Sequence, residues 1–135
     1  MNPSGPVLDA LKQRARGAAK AAYAPYSGFA VGAAVLTDTG EIYSAGNVEN
    51  ASFGLSVCAE RNAIFHAVAG GSRALTALVV YTPTAVPTTP CGACRQVLAE
   101  FGRDALVICC TDADAQEQRH SLSELLPAAF GPGSL

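Results

Sequence analysis

Cys58-Ala59-Glu60 and Pro90-Cys91-Gly92-Ala93-Cys94 are the runs of this 135-residue chain whose residue types and spacing suit chemistry. Three thiolates can hold one zinc ion and leave its fourth position to water, which distinguishes a catalytic zinc site from a closed structural one. A glutamate beside that open position is the type of group that takes a proton from water, delivers it to a substrate nitrogen and later protonates a departing amine. Cys58, Cys91 and Cys94 are therefore the candidate ligands for one zinc per chain, and Glu60 is the candidate proton shuttle.

Thiolates at Cys91 and Cys94 stand about 300° apart on an ideal helix and converge, whereas Cys58 and Glu60, about 200° apart, share a target only off a helix end. The zinc is thus expected over the N-terminal ends of two helices, where free N–H groups and the positive dipole end stabilise thiolates. Three thiolates give the ion a net negative charge that opposes ionisation of its water. Compensating charge is required, and Arg61, next to Glu60, is placed to donate to a ligand sulfur.

Blander readings exist for each group. Glu60 and Arg61 also read as solvated helix-surface charges, a reading that the apolar Ala63-Ile64-Phe65 and Ala67-Val68-Ala69 after Glu60 weaken. The cysteines read as a closed zinc ribbon, but this needs a fourth ligand: His66 lies about two helical turns beyond Cys58, and His120 falls in a distant strand. A redox C-x-x-C leaves Cys58 and Glu60 unexplained. Cys109 and Cys110, in an apolar run, read as core thiols.

The elements that must position these residues follow from periodicity. Val7, Leu8, Leu11, Ala15, Ala18, Ala19 and Ala22 recur at helical steps ahead of Pro25, on a stripe of alanines that implies close packing. Phe29 to Thr37 reads as a buried strand, Asp38-Thr39-Gly40 as a turn and Glu41 to Ala45 as the second arm of a hairpin. Gly46 to Gly54 lacks periodicity and reads as a loop. A helix from Val57 to Ala69, a strand from Leu75 to Thr82, a helix from Cys91 to Phe101 and a strand from Ala105 to Thr111 alternate thereafter, implying parallel strands added to the hairpin in a mixed sheet. A weak strand at Gln118 to Ser121 and a short helix at Ser123 to Leu126 finish one domain, 1–135. Residues 1–6 and 131–135 are expected to be flexible unless an oligomer orders them.

The chain is 50% apolar and carries a formal net charge of -2. No basic stripe offers a track for a phosphate backbone, so a nucleic acid polymer is not the expected partner. Neither a leader peptide nor a membrane-spanning run is read in it. Five cysteines, an odd number, suit a reducing cytoplasm better than a disulfide framework. Charged residues make up only 15% of the chain, a proportion that points to an oligomer covering apolar surface.

The ordered set Ala24-Pro25-Tyr26-Ser27, Phe29 to Gly32, Asn47-Val48-Glu49-Asn50-Ala51, Cys58-Ala59-Glu60-Arg61, Pro90 to Gln96 and Glu124-Leu125-Leu126-Pro127 resembles the small homotetrameric cytidine deaminases over nearly the whole chain. The zinc motifs in it are those known from nucleobase deaminases. The resemblance implies an α/β fold with three layers, α-β-α, around a mixed five-stranded sheet. It also implies hydrolysis of cytidine and deoxycytidine to uridine and deoxyuridine with release of ammonia, in pyrimidine salvage. By similarity, Asn47 and Glu49 hold the ribose hydroxyls, Phe29 flanks the pyrimidine, the backbone at Ala59 reads the ring's polar edge, and Phe130 reaches into a neighbouring subunit's site. Phe53 stands near the sugar where the family often has Tyr, and Asn62 stands where it often has Thr. Rival readings are a deaminase of a cytosine-nucleoside antibiotic of the blasticidin type and a non-catalytic zinc-binding module. The Asn47 to Asn50 run favours a simple nucleoside over the antibiotic.

Overall fold

Strand β1, Gly32–Thr37, is buried at every position, and its neighbours explain why. In the computed structural model, which describes residues 3–135 and Asp114 by its backbone alone, β1 lies between β2, Ile42–Gly46, and β3, Leu75–Tyr81. Both pair with it antiparallel, β4 (Leu106–Cys110) runs parallel to β3, and β5 (Gln118–Ser121) closes the order β2-β1-β3-β4-β5 antiparallel to β4. The sheet is mixed and five-stranded, as expected.

Alternation of side chains along each strand sends successive residues to opposite faces. Ala34, Leu36, Ala77, Val79, Tyr81, Ile108 and Cys110 meet Leu8, Leu11, Ala15 and Ala19 of helix α1, Gly5–Lys20. On the other face, Ala33, Val35, Leu78, Val80, Val107 and Cys109 meet Ala59, Ala63, Ile64 and Ala67 of α2, Ala59–Ala69, and Leu98 of α3, Gly92–Phe101. The layers are therefore helix, sheet and helix. Cys109 and Cys110 point to opposite faces of β4, and both are buried thiols, as read from their apolar run.

The alanine stripe of α1 is explained by the sheet backbone beneath it. A Cβ built on Gly32 would lie 1.8 Å from the Ala15 carbonyl oxygen, and one on Gly46 would lie 2.6 Å from that of Ala18. No side-chain rotation relieves either contact, since both partners are backbone. Gly32→Ala is accordingly expected to destabilise the protein by at least about 3 kcal/mol, the upper part of the overpacking range, as read by urea denaturation.

Several boundaries differ from the sequence reading. The first helix stops at Lys20 rather than Ala22, β1 begins at Gly32 rather than Phe29, and α2 begins at Ala59 rather than Val57. The final short helix, α4, is Leu122–Leu125, one residue earlier than expected, because Ser121 caps it reciprocally with Glu124. Of the terminal residues expected to be flexible, Met1 and Asn2 lie outside the described residues, Gly5 and Pro6 belong to α1, and Pro132–Ser134 form a 3-10 turn.

Candidate active site

Cys58 and Cys91 are the N-cap residues of α2 and α3, both with extended backbone (φ -65°, ψ 152° and φ -68°, ψ 168°). Cys94 follows in the first turn of α3 and is buried. Cys91 is thus not a helical residue, and the angular spacing expected for a C-x-x-C within a helix does not apply. The change of backbone direction at the cap brings the two thiols together instead.

The Sγ atoms of Cys58 and Cys91 are 3.8 Å apart, those of Cys91 and Cys94 3.5 Å, and all three lie within 4.8 Å of one another. Tetrahedral zinc with Zn–S bonds of about 2.3 Å requires sulfurs about 3.8 Å apart, close to the 3.8 and 3.5 Å at which Cys91 stands from Cys58 and Cys94. Among the described residues no His, Asp or Glu joins the group. His66 packs edge-on against Tyr43, with ring centroids 5.0 Å apart, and His120 sits on β5. A closed four-ligand ribbon finds no support among the described residues.

Arg61 Nη2 donates to Cys58 Sγ at 3.4 Å, and its buried Nε has no partner among the described residues. The Cys58 thiol is drawn down to about 5, by the neighbouring Cys94 thiol above all, then by Arg61 and Cys91, against the opposing effect of burial. Cys94 moves up, through its contact with Cys58 and its burial. The Cys58 and Cys94 sulfurs both act on Arg61, Cys58 first, and hold its guanidinium charged. Arg61→Gln is expected to lower zinc affinity by about 10-fold to 100-fold, the usual effect of losing a partner that orients a ligand, measured by chelator competition.

Glu60 is 5% exposed at the first turn of α2, and burial pushes its carboxyl up to about 7. Its own backbone hydrogen bond and Arg61 oppose the rise, while the Cys58 thiolate adds to it. A carboxyl so placed exchanges a proton near neutral pH, as general acid–base catalysis requires.

Glu60 opens into a cleft of about 260 Å³ together with Phe29, Asn47, Glu49, Cys58, Ala59 and Cys91. The loop before α2 carries Asn47 and Glu49 in a strand-like stretch, because Val48 bridges to Tyr23 on one side and Val57 on the other. The two-residue repeat then puts Asn47 and Glu49 on one side. Asn47 Oδ1 accepts from Val31 N at 2.9 Å and its Nδ2 donates to Phe29 O at 2.9 Å. Val31 O still accepts from Asn47 N at 3.2 Å, but the Val31 N–H goes to the Asn47 side chain instead of a backbone carbonyl, and the regular ladder of β1 starts at Gly32. One amide hydrogen and one lone pair of Asn47 remain for a ligand.

Glu49 Oε1 accepts from Tyr26 N at 3.0 Å and Ser27 N at 3.1 Å, and Oε2 accepts from the Ser27 hydroxyl. The Ser27 hydroxyl, followed by the backbone donors, keeps this carboxyl below its ordinary range, so it is an ionised acceptor at neutral pH.

Phe53, 75% exposed, lines an adjoining hollow of about 300 Å³ that shares Glu49 and Ser56 with the cleft. Its ring packs edge-on against Tyr26, centroids 6.0 Å apart. Phe130, 60% exposed, lines neither space, and its carbonyl accepts from Gln96 Nε2 at 3.0 Å. Thr88 and Thr89 form a cleft wall that motif reading passed over, although they directly precede Pro90-Cys91.

Residues 7–110 match the family described as the cytidine and deoxycytidylate deaminase zinc-binding region. A cytidine deaminase of Sporosarcina psychrophila is 41% identical over 128 residues, covering 95% of this chain and 94% of that protein. One from Halalkalibacterium halodurans is 45% identical over 113 residues, covering 84% and 86%. The crystal structure of cytidine deaminase from Burkholderia pseudomallei superposes with a TM-score of 0.85 at 45% identity, covering 90% of this chain and 98% of that one. With a matching fold, the three-cysteine cluster and this extent of similarity, the chain belongs to the cytidine deaminase family.

Proposed function

We propose that this protein deaminates cytidine and deoxycytidine hydrolytically to uridine and deoxyuridine, releasing ammonia. The observation that carries the reading is a nearly buried Glu60 opening into the same cleft as a three-sulfur cluster of zinc dimensions. Cys58, Cys91 and Cys94 hold the zinc, which when bound supplies a water acidic enough to act as nucleophile at neutral pH.

Glu60 takes a proton from the attacking water and passes it to N3 of the ring as the new C–O bond forms at C4. It then carries the second water proton to the amino group, so that nitrogen leaves as ammonia and C4 keeps the oxygen as a carbonyl. Arg61 stabilises the sulfur charge at Cys58. Asn47 and the ionised Glu49 bond the sugar hydroxyls, the Phe29 face flanks the base, and the backbone at Ala59 meets the ring's polar edge.

Phe53 lies outside the cleft proper and acts at the sugar end, where a phenyl ring offers no hydroxyl. Phe130 acts from a second copy of the chain, a reading supported by its exposure away from its own cleft. Exposed Tyr26 and Phe53 beside the cleft, with exposed Val48 and Leu55 next to cleft residues in the chain, support coverage by further subunits in a homotetramer with composite sites. Free thiols suit a reducing cytoplasm, and pyrimidine salvage is the setting that uses this reaction. No helix among the described residues is long and apolar enough to cross a membrane.

Ultraviolet-monitored loss of cytidine, with metal content measured on the same preparation, tests the proposal. Turnover with one zinc per chain is the expected result. Bound zinc with no turnover on cytidine or deoxycytidine would overturn it.

A further inference from the structure

We propose that Arg95 is a positioning residue for the metal clamp, tying the Thr89–Cys91 turn to the C-terminal segment of the chain. Its guanidinium spends all three nitrogens on neutral acceptors of two separate segments. Nε donates to Pro90 O at 2.7 Å, Nη2 to Thr89 Oγ1 at 3.3 Å and Nη1 to Leu125 O at 2.9 Å. Its backbone N–H donates to Cys91 O at 3.0 Å. Residue 95 therefore grips both residues before Cys91 and the carbonyl of Cys91 itself. Beside it, Gln96 holds the Phe130 carbonyl, so two consecutive residues after Cys94 anchor the chain's last stretch to the clamp.

Arg95 forms no ion pair among the described residues, unlike Arg16 and Arg119, which meet carboxylates. A half-buried cation bonded only to two carbonyls and a hydroxyl is set by geometry: the planar fork reaches three fixed points at once. Cys91 is exposed at a cap with extended backbone, so core packing constrains it less than it constrains the buried Cys94. The Thr89 and Pro90 backbone determines where the Cys91 thiol points, and Arg95 determines that backbone. Its effect on the zinc is exerted through Cys91. Thr89 also lines the cleft, so the same contact holds one cleft wall.

The inference rests on the three cysteines holding zinc, and the experiment separates the two readings. Full-length wild type and Arg95→Lys are stripped of metal, and zinc affinity is measured by competition with a chelator. Cobalt-loaded samples report the thiolate geometry through their visible absorption. Lysine keeps the charge but cannot span three acceptors. The expected result is a zinc Kd raised about 10-fold to 100-fold, with weakened cobalt bands. A merely structural arginine would lower the Tm of the metal-free protein and leave zinc affinity alone. A Kd within about twofold of wild type, well short of the usual loss of an orienting partner, overturns the proposal. Should Arg95→Lys fail to fold, Thr89→Val, which deletes only the acceptor of Nη2, decides it: a smaller rise in Kd supports the proposal and an unchanged Kd overturns it. Wild type that binds no zinc would overturn the metal reading itself, and the role of Arg95 with it.

Discussion

Glu60→Gln is expected to keep its zinc and lose turnover by about a hundredfold to ten-thousandfold, the range associated with a positioned general acid–base. Glutamine preserves shape and hydrogen-bonding capacity, so any loss reports the missing proton transfer rather than a collapsed cleft. Steady-state deamination of cytidine with zinc content determined alongside gives the comparison. Zinc retained with near-normal turnover would remove Glu60 from the mechanism.

The same substitution is expected to stabilise the metal-free protein above neutral pH. Burial raises the Glu60 carboxyl from 4.5 to about 7, so the folded state holds a proton that the unfolded state has released across that window. Stability therefore falls as pH rises from 4.5 to about 7, and above it the full cost remains, about 3 kcal/mol for a shift of this size. Glu60→Gln carries no such charge. Urea denaturation of metal-free protein at about pH 8 should find the variant more stable, with the difference vanishing near pH 4.5. An advantage independent of pH would contradict this origin. A carboxylate held in an unfavourable environment for its reactivity is a common stability–activity trade-off.

Cys91→Ser is the second large effect, and the choice of this cysteine matters. Cys94 is fully buried, so its replacement confounds metal loss with core damage, whereas Cys91 is exposed at the α3 cap. Serine is also a good N-cap residue, which protects the helix start. The expected outcome is a metal-free Tm near that of wild type, loss of the zinc-induced rise in Tm, and loss of turnover together with the metal, because a site reduced to two thiolates lacks the usual set of three protein ligands. Retention of stoichiometric zinc and activity would remove Cys91 from the ligand set.

How much of this was legible beforehand depended on the range of the interactions involved. The helix and strand periodicities of α1, β3, α3 and β4 are local, and each element forms close to where its pattern places it. The late start of β1 is not local: Asn47 captures the Phe29 and Val31 backbone from a loop 16 residues or more away. Likewise, no local pattern links Tyr26-Ser27 to Glu49, and only the fold shows them holding it ionised.

The candidate donor set and the candidate proton carrier were legible in one dimension, because zinc and hydrolysis require particular atom types and the motifs bring them at short spacing. So was the mixed sheet, through the switch from hairpin to alternating strand and helix. Long-range contact set the rest: convergence of Cys58 with Cys91 across two helix caps, the burial that tunes Glu60, and the grip of Arg95 on Leu125, 30 residues away. Spacing limits which atoms can meet within a turn of helix, but the distance between two turns, and the water excluded between them, is set only when both helices pack on one face of the sheet.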